Sequence, residues 1–170
     1  MTADPLSVFR MMANGVYLIG AAHDGRSNVF TAAWVTQVSF DPLLLALSIN
    51  RTHATYSLIT ASRAFSVNVL GRDQLHLARH FGCQSGREAD KLATVHHRFG
   101  PLGTPMIIDT LAWIECRVVN EVAVGDHQLL LGAAQSGDLL TLGIGPLRYR
   151  DTGNLDGSAS LFPSEWPDGG

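Results

Sequence analysis

The sequence predicts a mainly β domain, a closed or nearly closed antiparallel barrel with a few short helices over its openings. Three observations predict it. Six or seven segments have the length and patterning of strands. Short turn signals join most of them as hairpins. The regular strand–helix alternation that a parallel α/β sheet needs is absent. At 170 residues the chain is expected to form one domain with a sizeable core.

Pro5 to Asn14 suit one short helix, with Asp4 near the cap and Pro5 at the first position, where a missing N–H costs little. Val16 to Ala22 is an apolar run that ends at His23-Asp24-Gly25-Arg26, a hairpin signal. Val29 to Phe40 and Leu43 to Asn50 follow as strands joined by Asp41-Pro42. In the second of these, period two puts Leu43, Leu45, Leu47 and Ile49 on one face and Leu44, Ala46, Ser48 and Asn50 on the other. The first face reads as core. The second becomes smaller and more polar toward its C-terminal end, as a ligand-facing surface should.

Thr55 to Ala61 reads as a short helix, and Ala64 to Leu70 (AFSVNVL) alternates as a strand. Arg72 to Phe81 reads as a helix with Leu77, Ala78 and Phe81 on one stripe and Asp73 near its start. Gly82 to Asp90 is a Gly/Ser loop, and Ala89 to Val95 suit one or two helical turns. Leu111 to Val122 is a long strand in which Ala112, Ile114, Cys116 and Val118 share a face. Asp126 to Gln135 is another, after a Gly125-Asp126 turn, so the two pair as a hairpin. Pro146 to Tyr149 suit a final short strand. The single domain is placed at residues 1–150. Residues 151–170 turn to Gly, Ser, Asp and Pro and are expected to form a tail, loose or packed on a partner subunit.

Composition narrows the function classes. A hydrophobic fraction of 46% with 16% charged residues reads as a packed globular protein. A net charge of −3, from 12 basic and 15 acidic residues, gives neither a nucleic-acid footprint nor a polybasic membrane patch. No apolar run approaches the ~20 residues that span a bilayer. The two cysteines, Cys83 and Cys116, are not spaced as a zinc motif and are too few for a disulfide framework, so they read as free thiols in a reducing compartment. The N-terminus lacks a basic segment followed by an apolar one, so no signal peptide is expected and the location is expected to be cytoplasmic.

No G-x-G-x-x-G follows a strand, and neither G-x-x-x-x-G-K-[ST] nor G-x-S-x-G occurs, which disfavours a Rossmann site, a P-loop and an α/β-hydrolase. The informative stretch is Asn28 to Tyr56. Its small and hydroxyl residues Thr31, Ala32, Ala33, Thr36 and Ser39 let something flat and polar-edged approach two strands. Ser48, Asn50 and Thr52, with Thr55, form a first polar set. Asn50 can pair with a heterocycle edge, because its amide carries donors and an acceptor. The same residues also suit a strand end with ordinary turn formers. The loop Gln84-Ser85-Gly86-Arg87, with Lys91 one helical turn later, offers a hydroxyl, backbone N–H groups and positive charge to an anion. A solvated surface loop reads alike. His127, after Gly125-Asp126, starts a strand beside a tight turn, where it either projects into a cleft or lies exposed. His76 and His80 stand at i, i+4 with Cys83 near, yet the glutamate of H-E-x-x-H is missing and no third ligand is fixed. His96-His97 have less support, and no metal site is expected. Trp34 and Trp113 suit core or interface filling, although Trp34 lies within the small-residue segment.

Taken together, GVYLIGAAHDGRSNVFTAAWVTQVSFDP, LALSINRTHATYSLI, AFSVNVL, SGREADK and GDHQLLLG leading into PLRYR resemble the flavin reductase-like family, the FMN-binding split barrels. The resemblance runs from about Gly15 to Tyr149, and NVFTAAW and SGREADK look most like a branch that also contains flavoredoxin-type FMN proteins. It implies a homodimer of antiparallel Greek-key split barrels, with flavin near the subunit interface. It implies Thr31, Ala32, Ala33 and Trp34 along the isoalloxazine, and Ser48 and Asn50 at the ring or ribityl chain, with Thr52 counted in the same set. Ser85, Gly86 and Lys91 would hold the phosphate. His127, in a GDH motif, would lie on the nicotinamide side. Asp41-Pro42-Leu43 departs from the Asp-Pro-Pro of many members without disturbing the fold. The implied cofactor is FMN, with FAD as the alternative, and NAD(P)H is the co-substrate. The expected activity is NAD(P)H-dependent flavin reduction, with a monooxygenase or another electron acceptor downstream. The competing readings are a non-enzymatic FMN electron carrier and a barrel of this class that binds haem, another ligand or nothing.

Overall fold

The computed structural model describes residues 8, 9, 11–83, 85, 86 and 89–156. Its strands are β1 (Tyr17–His23), β2 (Arg26–Ala32), β3 (Val35–Phe40), β4 (Leu43–Asn50), β5 (Ala64–Val69), β6 (His97–Phe99), β7 (Pro105–Ile107), β8 (Ala112–Val124) and β9 (His127–Leu139). Helix α1 (Ala54–Ser62) joins β4 to β5, and α2 (Leu75–Gly82) follows β5. Seven strands form one antiparallel sheet in the order β2-β1-β5-β8-β9-β4-β3, and β6-β7 form a second, two-stranded one.

The strand order forces the sheet to close. β2 and β3 are consecutive in the chain but occupy opposite edges. A flat seven-stranded sheet would separate those edges by about 29 Å, at about 4.8 Å per strand. The three Cα steps from Ala32 to Val35 reach at most about 11 Å. The edges therefore meet at Ala33-Trp34, and the fold is a split barrel whose split lies at that crossing. The Ser48 N–H donates to the Trp34 carbonyl at 3.0 Å and ties the crossing to β4.

Two clusters of buried side chains lie on either side of β1. Ile19, Ala21, Phe30, Leu47, Ile49, Phe65, Val67, Val118 and Leu130 pack together, with Leu58 and Ile59 of α1 among them. Leu18, Val29 and Leu70 form the other cluster with Leu77, Ala78 and Phe81 of α2. Alternation explains the division, since Leu18 and Ile19 are neighbours that point to opposite faces. The Thr31 hydroxyl donates to the Ala78 carbonyl at 2.7 Å and fixes α2 on β2.

The structure corrects several expectations. The strand expected over Val29 to Phe40 is two strands, because its halves pair with β1 on one edge and β4 on the other. The strand expected at Pro146 to Tyr149 is reduced to two isolated bridges, Gly15 with Arg148 and Gly71 with Pro146, followed by a 3-10 turn at Tyr149–Thr152. On the expected core face of β4, Leu47 and Ile49 are buried and Leu45 packs half-buried against their cluster, but Leu43 leaves it. Leu43 is 46% exposed because it pairs at the outer end with Phe40, itself 88% exposed. α2 starts at Leu75 rather than Arg72, since the Gln74 side chain instead accepts from the Gly71 N–H at 2.8 Å. Ala89 to Val95 makes turns and no helix. Strands β6 and β7 were not expected, nor was the fully buried Glu115. Its carboxylate accepts from the Leu102 N–H, the Thr104 N–H and hydroxyl, and the Ser136 hydroxyl. Of the expected N-terminal helix, Pro5 to Ser7 and Arg10 lie outside the described residues, as do residues 157–170 of the expected tail.

Candidate functional site

A cleft of about 250 Å3 opens where the barrel splits. The crossing supplies Thr31, Ala32, Ala33 and Trp34 to its lining, and β4 supplies Ser48 and Asn50. His127 of β9 joins them because it is the register partner of Asn50. The alternation in β4 thus does what the sequence suggested: Leu47 and Ile49 face the core and Ser48 and Asn50 border the cleft.

The polar groups here are already oriented. The Asn50 Oδ1 accepts from the Thr52 N–H at 2.9 Å and from the Thr52 hydroxyl at 2.8 Å, which leaves the amide nitrogen as the donor for a ligand. The His127 Nδ1 lies 2.8 Å from the Asp126 Oδ1, and the hydrogen bond from His127 holds the Asp126 carboxyl below its ordinary pKa. An ionised carboxylate only accepts, so Nδ1 carries the hydrogen and Nε2 is the acceptor of the neutral ring. The Trp34 ring stands 5.0 Å from the His127 ring, tilted by 53°, and is 54% exposed. The two form an aromatic rim on the open side of the cleft.

A second cavity, of about 300 Å3, adjoins the first. Thr52, His53 and Ala54 from the start of α1 line it opposite Cys83, Ser85 and Gly86 from the loop after α2. The N-cap residue His53 makes no side-chain cap bond to α1, and the first turn of the helix holds no acidic residue. Backbone N–H groups and the positive end of the helix dipole are therefore available to an anion. Gly86 is required here by close approach, since a Cβ at that position would fall 2.1 Å from the Asn28 side chain. Gln84 and Arg87 of the predicted anion loop lie outside the described residues.

Lys91 lines neither cavity. Its ammonium donates to the Phe81 carbonyl at 3.0 Å and lies 5.9 Å from the Phe81 ring, and its carbonyl bonds the His80 Nε2 at 2.8 Å. Burial lowers its pKa to about 8. In this structure Lys91 pins the far end of the Ser85-Gly86 loop to the last turn of α2. No three His, Cys, Asp or Glu residues come together as a metal site among the described residues. Burial, with Glu115 beside it, pushes the Cys116 thiol up to about 12, so it stays protonated. Cys83 is exposed.

Sequence reasoning missed one wall of the first cleft. Tyr149, Thr152, Leu155 and Asp156 line it. Residues 151–156 fold back on their own barrel: Thr152 is buried, Leu155 packs on the α2-side cluster, and the Tyr149 hydroxyl donates to Asp156. It also missed His53, which lines both cavities.

Comparison with known proteins bears on this arrangement. Residues 9–153 match the flavin reductase like domain. The reductase component of a 4-nitrophenol 4-monooxygenase/4-nitrocatechol 2-monooxygenase from Rhodococcus opacus is 35% identical over 121 residues, which cover 70% of this chain and 62% of that protein. A high molecular weight rubredoxin from Moorella thermoacetica is 35% identical over 137 residues, 79% of this chain and 59% of that one. The chain thus spans less than two thirds of the length of either relative. The solved structure of flavin reductase PheA2 superposes with a TM-score of 0.74 at 32% identity, covering 86% of this chain and 93% of that one. Matched over nearly its whole described length and sharing the fold, the chain belongs to the flavin reductase-like domain family.

Proposed function

We propose that this chain is a flavin reductase that binds FMN, with FAD as the alternative, and uses NAD(P)H as its reductant. The observation that carries the reading is the pair of joined cavities. One is bordered by small residues with polar groups at its edge, and the other is an anion cup at the start of α1. That donor set fits an isoalloxazine with a ribityl phosphate. Ala32 and Ala33 leave room for a flat ring. Ser48 and the Asn50 amide meet its polar edge, with Thr52 holding Asn50 in place. Ser85, Gly86 and the first amides of α1 receive the phosphate, and Lys91 holds their loop. His127 and Trp34 stand at the open side, where the Nε2 of His127 accepts from the carboxamide of a nicotinamide. When bound, the flavin supplies the hydride-accepting chemistry. The protein contributes mainly proximity and orientation.

The relative named a high molecular weight rubredoxin, of which the chain spans 59%, favours a second reading as an FMN-binding electron carrier. One experiment separates the two. Purified protein loaded with FMN is mixed anaerobically with NADH or NADPH. Bleaching of the flavin band by nicotinamide alone supports the reductase, whereas bleaching only by a reduced protein donor supports the carrier. Failure to take up FMN or FAD sinks both.

In this reading the chain works as a cytoplasmic homodimer that hands reduced flavin or electrons to a monooxygenase or another acceptor. Apolar side chains left exposed on β3, β4, β8 and β9, among them Val38, Phe40, Leu43, Val119 and Val122, support a self-association surface.

A further inference from the structure

The wall that Tyr149, Thr152, Leu155 and Asp156 give the first cleft has two unlike halves. Up to Thr152 it is anchored. The Tyr149 N–H donates to the Asn14 carbonyl at 2.8 Å, the Arg148 guanidinium pairs with Asp151 at 2.8 Å, and the hydroxyl of the buried Thr152 donates to the Tyr149 carbonyl at 2.7 Å. The chain then reverses at Gly153, whose φ of 65° and ψ of −126° suit glycine and strain a residue that carries a Cβ. Beyond that turn Asn154 and Asp156 are exposed and Leu155 is half-buried. A segment with so little buried apolar surface opens locally at low cost. Leu155, packed on the α2-side cluster, and Asp156, accepting from the Tyr149 hydroxyl, clip this half to the barrel. The clip stands at the neck between the cavities, where Thr31 and Gly82 line both. A Cβ on Gly82 would lie 3.3 Å from the Thr31 hydroxyl and 3.7 Å from the Leu155 Cδ2, so the three converge. A ligand that fills both cavities passes Gly82 and comes against Leu155.

We infer that residues 153–156 are a lid, hinged at Gly153 and clipped at Leu155, that opens to let flavin enter and leave the cleft. The inference rests on the flavin reading and deepens it, because the lid sets whether the flavin is held through turnover or exchanged. A lid acts on the path. Opening it more often speeds entry and exit together and leaves affinity nearly unchanged. A fixed wall acts on the bound state, so weakening it speeds exit alone. Gly153 separates the two cases, because it lines neither cavity and a Cβ there would meet nothing within 4 Å. Gly153→Ala therefore strains the closed backbone without touching the ligand.

The test is the association rate constant of FMN, by stopped-flow fluorescence quenching on flavin-free protein, and its dissociation rate constant on dilution. Both are measured for the wild type, Gly153→Ala and Leu155→Ala, with circular dichroism to report the fold. The expected result is that both rate constants rise about tenfold in Gly153→Ala, the scale of such a backbone strain, while their ratio stays within about threefold. In Leu155→Ala both should rise again, exit more than entry, since Leu155 also borders the cleft. Exit that quickens with entry unchanged makes the segment a fixed wall and overturns the lid. Rate constants equal to those of the wild type in the folded variants overturn it too and leave the flavin site in place. A wild type that takes up no FMN overturns the flavin reading itself and the lid with it.

Discussion

Asn50 and Thr52 set the edge of the first cleft by a local economy of donors. One amide oxygen accepts twice, from the Thr52 N–H and hydroxyl, and the amide nitrogen is thereby turned over to a ligand. Replacing Thr52 with Val removes one of the two donors and lets the amide rotate. A flavin titration should then show affinity falling about threefold to tenfold, the worth of one hydrogen bond. Lys91 is a second residue whose direction matters more than its charge. Burial puts its pKa at about 8 in the folded chain against 10.5 ordinarily. Between those values the unfolded chain binds the proton and the folded chain does not, so this group makes stability rise with pH across that window. Lys91→Met has no such group. The melting temperature of the wild type relative to that variant should therefore climb as pH is raised from 8 toward 10.5. A difference that is flat, or that shrinks, contradicts the burial of this ammonium. The sequence marked Lys91 for its charge and spacing, which carry no information about which way the side chain turns.

At the scale of elements, the crossing from β2 to β3 makes the site. Two residues connect opposite edges of a closed sheet, and both line the cleft. The small residues Thr31, Ala32 and Ala33 beside it were legible in the sequence, and so was the alternation in β4 that sends Ser48 and Asn50 to the cleft. The break at Ala33-Trp34 was not, because neither glycine nor proline marks it and only pairing with two distant strands creates it. The return of residues 151–156 was hidden for the opposite reason. Their composition is that of a loose tail, and of residues 151–156 Thr152 is buried and Leu155 half-buried against the α2-side cluster. Ala33→Phe fills the cleft from a half-buried position without entering either buried cluster. It should lower flavin affinity by about 100-fold or more, roughly 3 kcal/mol, while the thermal midpoint moves by only a few degrees. An Ala33→Phe protein that still binds flavin normally would place the ring elsewhere.

Across the whole molecule, the fold class followed from turn spacing and strand patterning, whereas barrel closure depends on contacts distant in sequence. The exposed apolar side chains have the same origin: period two predicts which face a residue takes, but not where the sheet runs beyond its own core. Leu43 shares the face of Leu47 and Ile49 yet stands outside, beside Phe40. If that end is the homodimer contact, Phe40→Asp should convert a dimer to a monomer in light scattering, with its circular dichroism unchanged. A wild type that is monomeric at micromolar concentration refutes that contact.

We propose that the cleft at the split holds a flavin whose open side faces His127. Anaerobic stopped-flow reduction by NADH and by NADPH, in the wild type and in His127→Ala, tests it most directly. The variant should bind FMN within about threefold of the wild type, while the rate of flavin bleaching falls about 10-fold to 100-fold with the better nucleotide. An unchanged rate, or a loss of flavin binding as large as the loss of rate, would contradict it.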